Sequence, residues 1–216
     1  MCKISVIIPV YNSEEWIGRC LRSLLDQSLD KELYEIIVVN DGSQDNSLNI
    51  IKKFEENIIL INRNQNKGLP YSLNEGISNA NGQFIIRVDS DDYVNHEYLK
   101  IPFLYLTLNN DIDAVSLDYY EVDERENIIS RKNAALDPIG CGIMFRHEQL
   151  VKVGLYNPEQ KLHEEKELMH RFSAKYSVYN IPLPLYRYRQ RIESISNNKK
   201  LIEKYGKDFI KSTTEK

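Results

Sequence analysis

The chain has 216 residues, 42% of them hydrophobic, a net charge of -4 and a sequence pI near 5.7. That length and composition suit one domain able to bury a sizeable core, and an acidic chain with no RNA or DNA motif falls outside the nucleic-acid-binding classes. No apolar run approaches the roughly 20 residues of a membrane-spanning helix, the N-terminal MCKISVIIPVYN lacks the marks of a signal peptide, and Cys2, Cys20 and Cys141 sit at spacings that match no zinc or redox pattern, so they read as reduced thiols of a cytoplasmic protein.

Four segments read as buried strands: ISVIIPV, YEIIVVN, NIILINR and QFIIRVD. Each is short, rich in β-branched residues and continuously apolar, as in a parallel sheet covered on both faces. Helical patterns separate them. The first covers about Ser13 to Asp26, with Asn12 and Glu15 as a capping pair. The second covers about Ser47 to Glu55. The third follows KGLPYSLNEGI, where Pro70 suits a first helical turn. This order predicts an α/β doubly wound unit for the first hundred residues. Beyond Asp92 the pattern changes. HEYLKIPFLYLTLNN reads as a helix with Pro102 awkwardly inside it, IDAVSLDYYEV as a strand, and NIISRKNAALDPIGCGIMFR as strand mixed with loop. HEEKELMHRFSAKY reads as a short helix, SVYNIPLPLYRYRQ as extended, and the tail from Lys199 as amphipathic and charged.

Ligands of open α/β sheets bind beyond the carboxyl ends of the strands. Three sequence features fall there: PVYN with Tyr11 available to stack on a flat ring, NDGS with Asp41 before a turning Gly42, and VDSDDY. Asp89, Asp91 and Asp92 repel one another, and hard oxygen ligands crowded at a strand end suit Mg²⁺ or Mn²⁺. The alternative is a solvated acidic turn that caps the next helix. On the wheel of HEEKELMHRF, Glu165 shares a face with Leu168, Met169 and Phe172, while Glu164 and Glu167 project elsewhere and Arg171 is available to pair with either. A carboxylate on an apolar stripe is partly desolvated, which makes Glu165 a candidate general base. The alternative is ordinary placement of acids in a first helical turn. His163 and His170 match no zinc spacing, and LYRYRQ reads as core and cleft wall.

Together these segments resemble family 2 glycosyltransferases, inverting enzymes with the GT-A fold, of the kind that build bacterial surface polysaccharides. The similarity runs through SVIIPVYNSEEWIGRCLRSLLDQS, YEIIVVNDGSQDNS, NKGLPYSLNEGI, GQFIIRVDSDDY, GCGIMFRHEQLVKVGLYNPE and HEEKELMHRF, roughly Ile4 to Ser196. It implies a single GT-A domain over 1–198, with a nucleotide-sugar half (1–95), an acceptor and catalytic half (96–198), and a short tail (199–216). It implies that Pro9, Val10 and Tyr11 hold the nucleotide base, that Asp41 bonds it, and that Asn64, Lys67 and Ser90 belong to the donor site. Asp89 is expected at the ribose or donor sugar and at the metal, and Asp91 as the ligand of Mn²⁺ or Mg²⁺. Gly142, Arg146 and Glu164 are expected on the acceptor side. Glu165 stands where the family usually has its catalytic Asp, with Glu164 as second candidate base, and the extra methylene moves that carboxylate by about a bond length.

The implied reaction moves a sugar from a nucleotide-diphosphate sugar, UDP by resemblance, to a hydroxyl of a glycan or lipid-linked acceptor. Gln-x-x-Arg-Trp is missing after Gln190, which favours non-processive transfer. The chain is short for the family, so a further C-terminal module is expected elsewhere. The implied location is cytoplasmic, with the tail a candidate for contact with the inner membrane face; a capping helix is its plainer reading. Two rivals stand beside this. A sugar nucleotidyltransferase would want a basic Gly-rich loop after the first strand, where this chain has the acidic VYNSEEW. A degenerate module would bind a sugar nucleotide without chemistry.

Overall fold

The first apolar run forms β1 (Ile4–Val10), and its side chains divide between two cores. Ile4, Val6, Ile8 and Val10 face one core, and Ile7 faces the other. This is the period-two alternation of a strand covered on both sides, and it explains why the sequence reads as a continuous apolar run. The computed structural model describes residues 2–160 and 163–190.

Beside β1 lie β2 (Tyr34–Asp41) and, through it, β3 (Ile59–Arg63), with β4 (Phe84–Arg87) on the other side. All four are parallel. The order β3-β2-β1-β4 confirms the predicted doubly wound half. β3 departs from expectation in one respect. Among the described residues it is an edge strand that pairs with β2 alone, and Ile59 is 41% exposed. The helices α1 (Ile17–Leu25) and α2 (Ser47–Lys52) cover one face, and α3 (Leu69–Ser78) covers the other. Pro70 stands in the first turn of α3, where its missing N–H costs nothing.

Two helix starts and ends differ from the sequence reading. Asn12 does not cap α1: its backbone is left-handed, with φ 48°, and its Oδ1 accepts from the Gln44 N–H at 2.8 Å. A turn through Ser13–Trp16 comes first, and α1 starts at Ile17. α2 stops at Lys52 rather than near Glu55. Glu55–Asn57 tightens into a 3₁₀ turn instead, consistent with acids being unfavourable at a helix C-terminus.

The sheet continues with mixed polarity. After the acidic turn comes the short β5 (Tyr93–Val94), then α4 (Lys100–Leu108), β6 (Ala114–Val122) and its hairpin partner β7 (Ile128–Lys132). Pro102 is the third residue of α4, in the first turn where proline is best tolerated, and its neighbours Ile101 and Phe103 still donate to the Glu97 and Leu99 carbonyls at 3.2 and 3.3 Å. Next are β8 (Ile143–Arg146), α5 (His147–Val153), α6 (Glu164–Ser173) and β9 (Val178–Arg189). α5 was not expected; it ends where Gly154 takes φ 99°. Among the described residues the sheet order is β3-β2-β1-β4-β8-β6-β9-β5, with β7 on β6. β8 runs antiparallel to β4 and places Cys141 and Gly142 beside its end. The β9 register slips against β6 between Leu117 and Tyr119, where Pro182 and Pro184 interrupt the ladder. The predicted tail, residues 199–216, lies outside the described residues.

Candidate functional site

β1, β2 and β4 end on one edge of the sheet, so Tyr11, Asp41 and the Asp89–Asp92 turn arise side by side from topology. Side chains then stitch the loops together. Ser13 N–H donates to Ser47 Oγ at 2.8 Å, Glu14 N–H to Asp45 Oδ2 at 2.9 Å, and Ser13 Oγ and Ser90 Oγ lie 2.7 Å apart. Pro9 and Val10 are buried strand residues, whereas the Tyr11 ring is 47% exposed at the cleft edge. Ser90 is therefore a buried link between two strand ends.

Asp41 sits deeper than its expected role requires. It is 3% exposed, and its carboxylate accepts from Arg63 Nη1 at 3.0 Å and from the backbone N–H groups of Lys67 and Gly68 at 2.9 and 2.8 Å. Its visible task is to hold the 64–68 loop, on which the Asn64 and Lys67 side chains are exposed. Gly42 lets that loop close. It has φ 71°, and a Cβ there would stand 2.7 Å from the Gln65 carbonyl carbon.

The acidic turn is organised around Arg87, a residue the sequence reading passed over. Arg87 Nε and Nη2 donate to the two oxygens of Asp89 at 2.6 and 3.0 Å, while Nη1 donates to Glu164 Oε1 at 3.1 Å. The signal was present in the sequence: an arginine inside the apolar run FIIRVD requires a buried partner. Asp92 is likewise turned inward. It accepts from the Tyr186 hydroxyl at 2.6 Å and from the Arg189 N–H at 2.7 Å. Burial, then the charges of Asp91 and Asp89, push its carboxyl well above the usual range. Tyr186 Oη also accepts the Asp89 N–H at 3.1 Å.

Asp89, Asp92 and Cys141 bring one ligand-type atom each within 4.8 Å of one another. Burial raises the Cys141 thiol well above 9.0, so it stays protonated and donates to Asp89 Oδ2 at 2.9 Å. A protonated thiol is not a metal ligand, and Asp92 is engaged by Tyr186 and Arg189. A cation at this turn would draw on the half-buried Asp91 and on an oxygen of Asp89 that it would share with Arg87. Hard carboxylate oxygens, one or two in number, match Mg²⁺ or Mn²⁺ with water and phosphate completing the shell.

α6 brings its first turn to the same place, with one correction. The wheel put Glu165 on the inward stripe and sent Glu164 elsewhere. In the structure Glu164, Leu168 and Phe172 form the buried row, at i, i+4 and i+8. Glu164 is the partner of Arg87, and Arg171 pairs with Glu167 at 2.6 Å. Glu165 lies on the flank, with its Cβ close against Gly140, where an added Cβ would stand 2.9 Å from it. Its carboxyl is raised above 4.5, first by burial and then by the charge of Glu164. His163 Nδ1 is 3.9 Å from Glu165 Oε1, and burial lowers that imidazole below 6.5, so it is neutral at pH 7.

The two remaining acceptor-side candidates separate. Gly142, at φ 73°, packs under Tyr186 and gives its carbonyl to the Leu117 N–H at 2.9 Å. Arg146 stands at the opposite end of the sheet, across from Phe84. It donates to the carbonyls of Ile112, Leu106 and Asn109 at 2.9, 2.7 and 3.0 Å. It ties down the end of α4 and does not join the other candidates.

A mixed sheet whose first four strands are parallel, with helices on both faces and an acidic turn after β4, is an α/β architecture of the GT-A type. The glycosyl transferase family 2 model matches residues 5–181, and the chain belongs to that family. Among curated relatives it is 48% identical over 101 residues to the poly(ribitol-phosphate) beta-glucosyltransferase of Bacillus spizizenii, spanning 45% of this chain and 16% of that one. It is 37% identical over 128 residues to glycosyltransferase GlyA of Streptococcus pneumoniae, spanning 58% and 18%. The chain thus covers less than a fifth of the length of these two relatives. Among solved structures, Staphylococcus aureus TarS 1–349 in complex with UDP-GlcNAc superposes with a TM-score of 0.79 at 22% identity, over 93% of this chain and 64% of that one. A mannosyltransferase from Pyrobaculum calidifontis in complex with GDP-Man and Mn²⁺ superposes at 0.74 and 15% identity, over 99% and 65%. At these identities the structures show a shared fold.

Proposed function

We propose that this chain transfers a sugar from a nucleotide-diphosphate sugar, a UDP-sugar, to a hydroxyl of a glycan or lipid-linked acceptor. The reading includes inversion at the anomeric carbon and release after each transfer. One observation carries it. Arg87 joins Asp89, at the donor end of β4, to Glu164 on α6, and so sets Glu165 beside the strand ends where a donor would lie.

In this reading residues 1–95 receive the donor. Pro9, Val10 and Tyr11 form the wall for the base, and Asp41 holds the loop that presents Asn64 and Lys67. Asp89 and Ser90 lie at the ribose and sugar. A divalent cation, Mn²⁺ or Mg²⁺, held by Asp91 and Asp89, would neutralise the leaving diphosphate. Glu165 takes the proton of the acceptor hydroxyl as that oxygen bonds to the anomeric carbon and the carbon–diphosphate bond breaks. Glu164, already bonded to Arg87, positions the helix rather than serving as base. The name of the Bacillus spizizenii relative supports a polymer of the poly(ribitol-phosphate) kind as the acceptor. A cytoplasmic site fits a nucleotide-sugar donor. Among the described residues no helix is long and apolar enough to cross a membrane.

Thermal unfolding against UDP, GDP, dTDP, CMP and ADP, with and without Mn²⁺, tests the reading. A ligand at 100 times its dissociation constant stabilises by about 2.7 kcal/mol, or roughly 5–10 °C for a chain of this size. The expected result is a shift with UDP that needs Mn²⁺ and disappears in Asp91→Ala. No shift with any nucleotide would overturn the donor reading. Binding without donor hydrolysis or transfer would leave the degenerate module in its place.

A further inference from the structure

A second site stands outside the cleft. α1, β5 and β9 enclose a groove of about 660 Å³, lined by Arg19, Arg22, Tyr93, His96 and Arg187, with Asp26 at its rim. Tyr93 directly follows Asp92, so the groove begins where the acidic turn ends. Three arginines line this one groove.

Their partners are uneven. Arg19 stacks on the Tyr93 ring at 4.2 Å and pairs with Glu126 at 3.0 Å. Arg187 is half-buried, yet among the described residues Nη1 donates only to the carbonyls of Pro184 and Tyr186, at 2.7 and 3.2 Å, and the group lies 4.7 Å over Tyr120. Arg22 is exposed. Among the described residues neither Arg22 nor Arg187 has a salt-bridge partner. The Asp26 carboxylate is 86% exposed and lies 3.9 Å from His96. A partly desolvated guanidinium without a carboxylate is an unmet cost in the chain itself, and a planar fork of donors is the group best matched to a phosphate.

We propose that this groove binds a phosphate group, as a monoester or diester, through Arg22 and Arg187 with Arg19 at its edge. The site is independent of the donor cleft and of the sugar-transfer reading. It would hold a phosphate-bearing molecule beside the acidic turn without using the metal carboxylates.

Calorimetric titration tests it in the presence of EDTA, so that no metal bridges phosphate to the cleft. The probes are inorganic phosphate, glycerol 3-phosphate, and vesicles of phosphatidylglycerol or of phosphatidylcholine alone. The expected result is saturable binding of at least one phosphate probe that survives Asp91→Ala and weakens about tenfold or more in Arg22→Glu. Binding of the free anions assigns a soluble or polymer-borne phosphate, and binding of phosphatidylglycerol vesicles alone assigns a lipid headgroup. Arg22 is exposed, so its variant folds even where Arg187→Gln does not. No binding in any arm, or binding indifferent to Arg22→Glu, overturns the proposal.

Discussion

Replacing Arg87 by Met removes the cation shared by two carboxylates while keeping a long side chain. Arg87 is 8% exposed, Glu164 10% and Asp89 24% at the side chain. Removing one partner of a buried ion pair costs about 3–5 kcal/mol, because the other charge is left uncompensated. Here two pairs share one cation, and their losses are not additive. Asp89 keeps some solvent and its bond from Cys141, so Glu164 carries most of the penalty. A loss of about 4 kcal/mol is expected, which for a chain this long lowers Tm by roughly 8–16 °C. Arg87→Lys keeps the charge but not the fork of donors, and is expected to lose about half as much. Adding Glu164→Gln to Arg87→Met removes the stranded charge and should recover part of the loss. Calorimetric melting at pH 7.5 measures all three. An Arg87→Met protein melting within about 2 °C of the parent would refute the reasoning, as would a double variant less stable than the single one.

Other expectations follow from the same geometry. Glu165→Gln should lower turnover by about 10²–10⁴, the usual contribution of a general base, while UDP-dependent stabilisation stays unchanged. Glu165 must be ionised to act, and its carboxyl is raised above 4.5 by burial and then by Glu164. The acid limb of the rate profile should therefore lie above that value and move down in Glu164→Gln. The same shift has a stability sign. A group bound more tightly to its proton in the folded state favours folding below its unfolded pKa, and that contribution is lost as pH rises through the folded value. Glu165→Gln should thus raise Tm near pH 7, with the gain fading towards pH 4 in a melting series. Tyr186→Phe strips Asp92 of a donor and the Asp89 N–H of its acceptor, at about 1–3 kcal/mol, readable by urea unfolding. Gly42→Ala forces a side chain into a left-handed residue and against the 65–66 backbone. It should cost about 1–2 kcal/mol for the backbone and a further 1–3 for overpacking.

Much of this protein is legible in its residues. The runs ISVIIPV, YEIIVVN and QFIIRVD could only be strands covered on both faces, because no polar side offers itself to water. Their alternation with helical patterns determined a doubly wound half and, through it, the edge where Tyr11, Asp41 and Asp89 meet. Periodicity has no direction across the sheet, however, so NIILINR read like the others although it became an exposed edge. The later strands were legible as strands but not in their order. β8 entering beside β4 is a long-range pairing that no local pattern encodes.

Side-chain partners were decided only by the tertiary structure. On α6, Glu164 and Glu165 differ by one residue, about 100° around the helix, and a wheel cannot say which one meets a cation on another strand. Arg87 settles it: 77 positions away, it takes Glu164 into an ion pair, leaving Glu165 on the flank with its carboxyl raised. Arg146 and Asp41 show the same limit, since each found backbone groups brought near by folding. Residue types and spacing determined which chemistry the chain carries and at which end of the sheet. Burial and pairing, which depend on contacts between distant segments, decided which carboxylate is locked in an ion pair and which lies on the flank with its proton held more tightly.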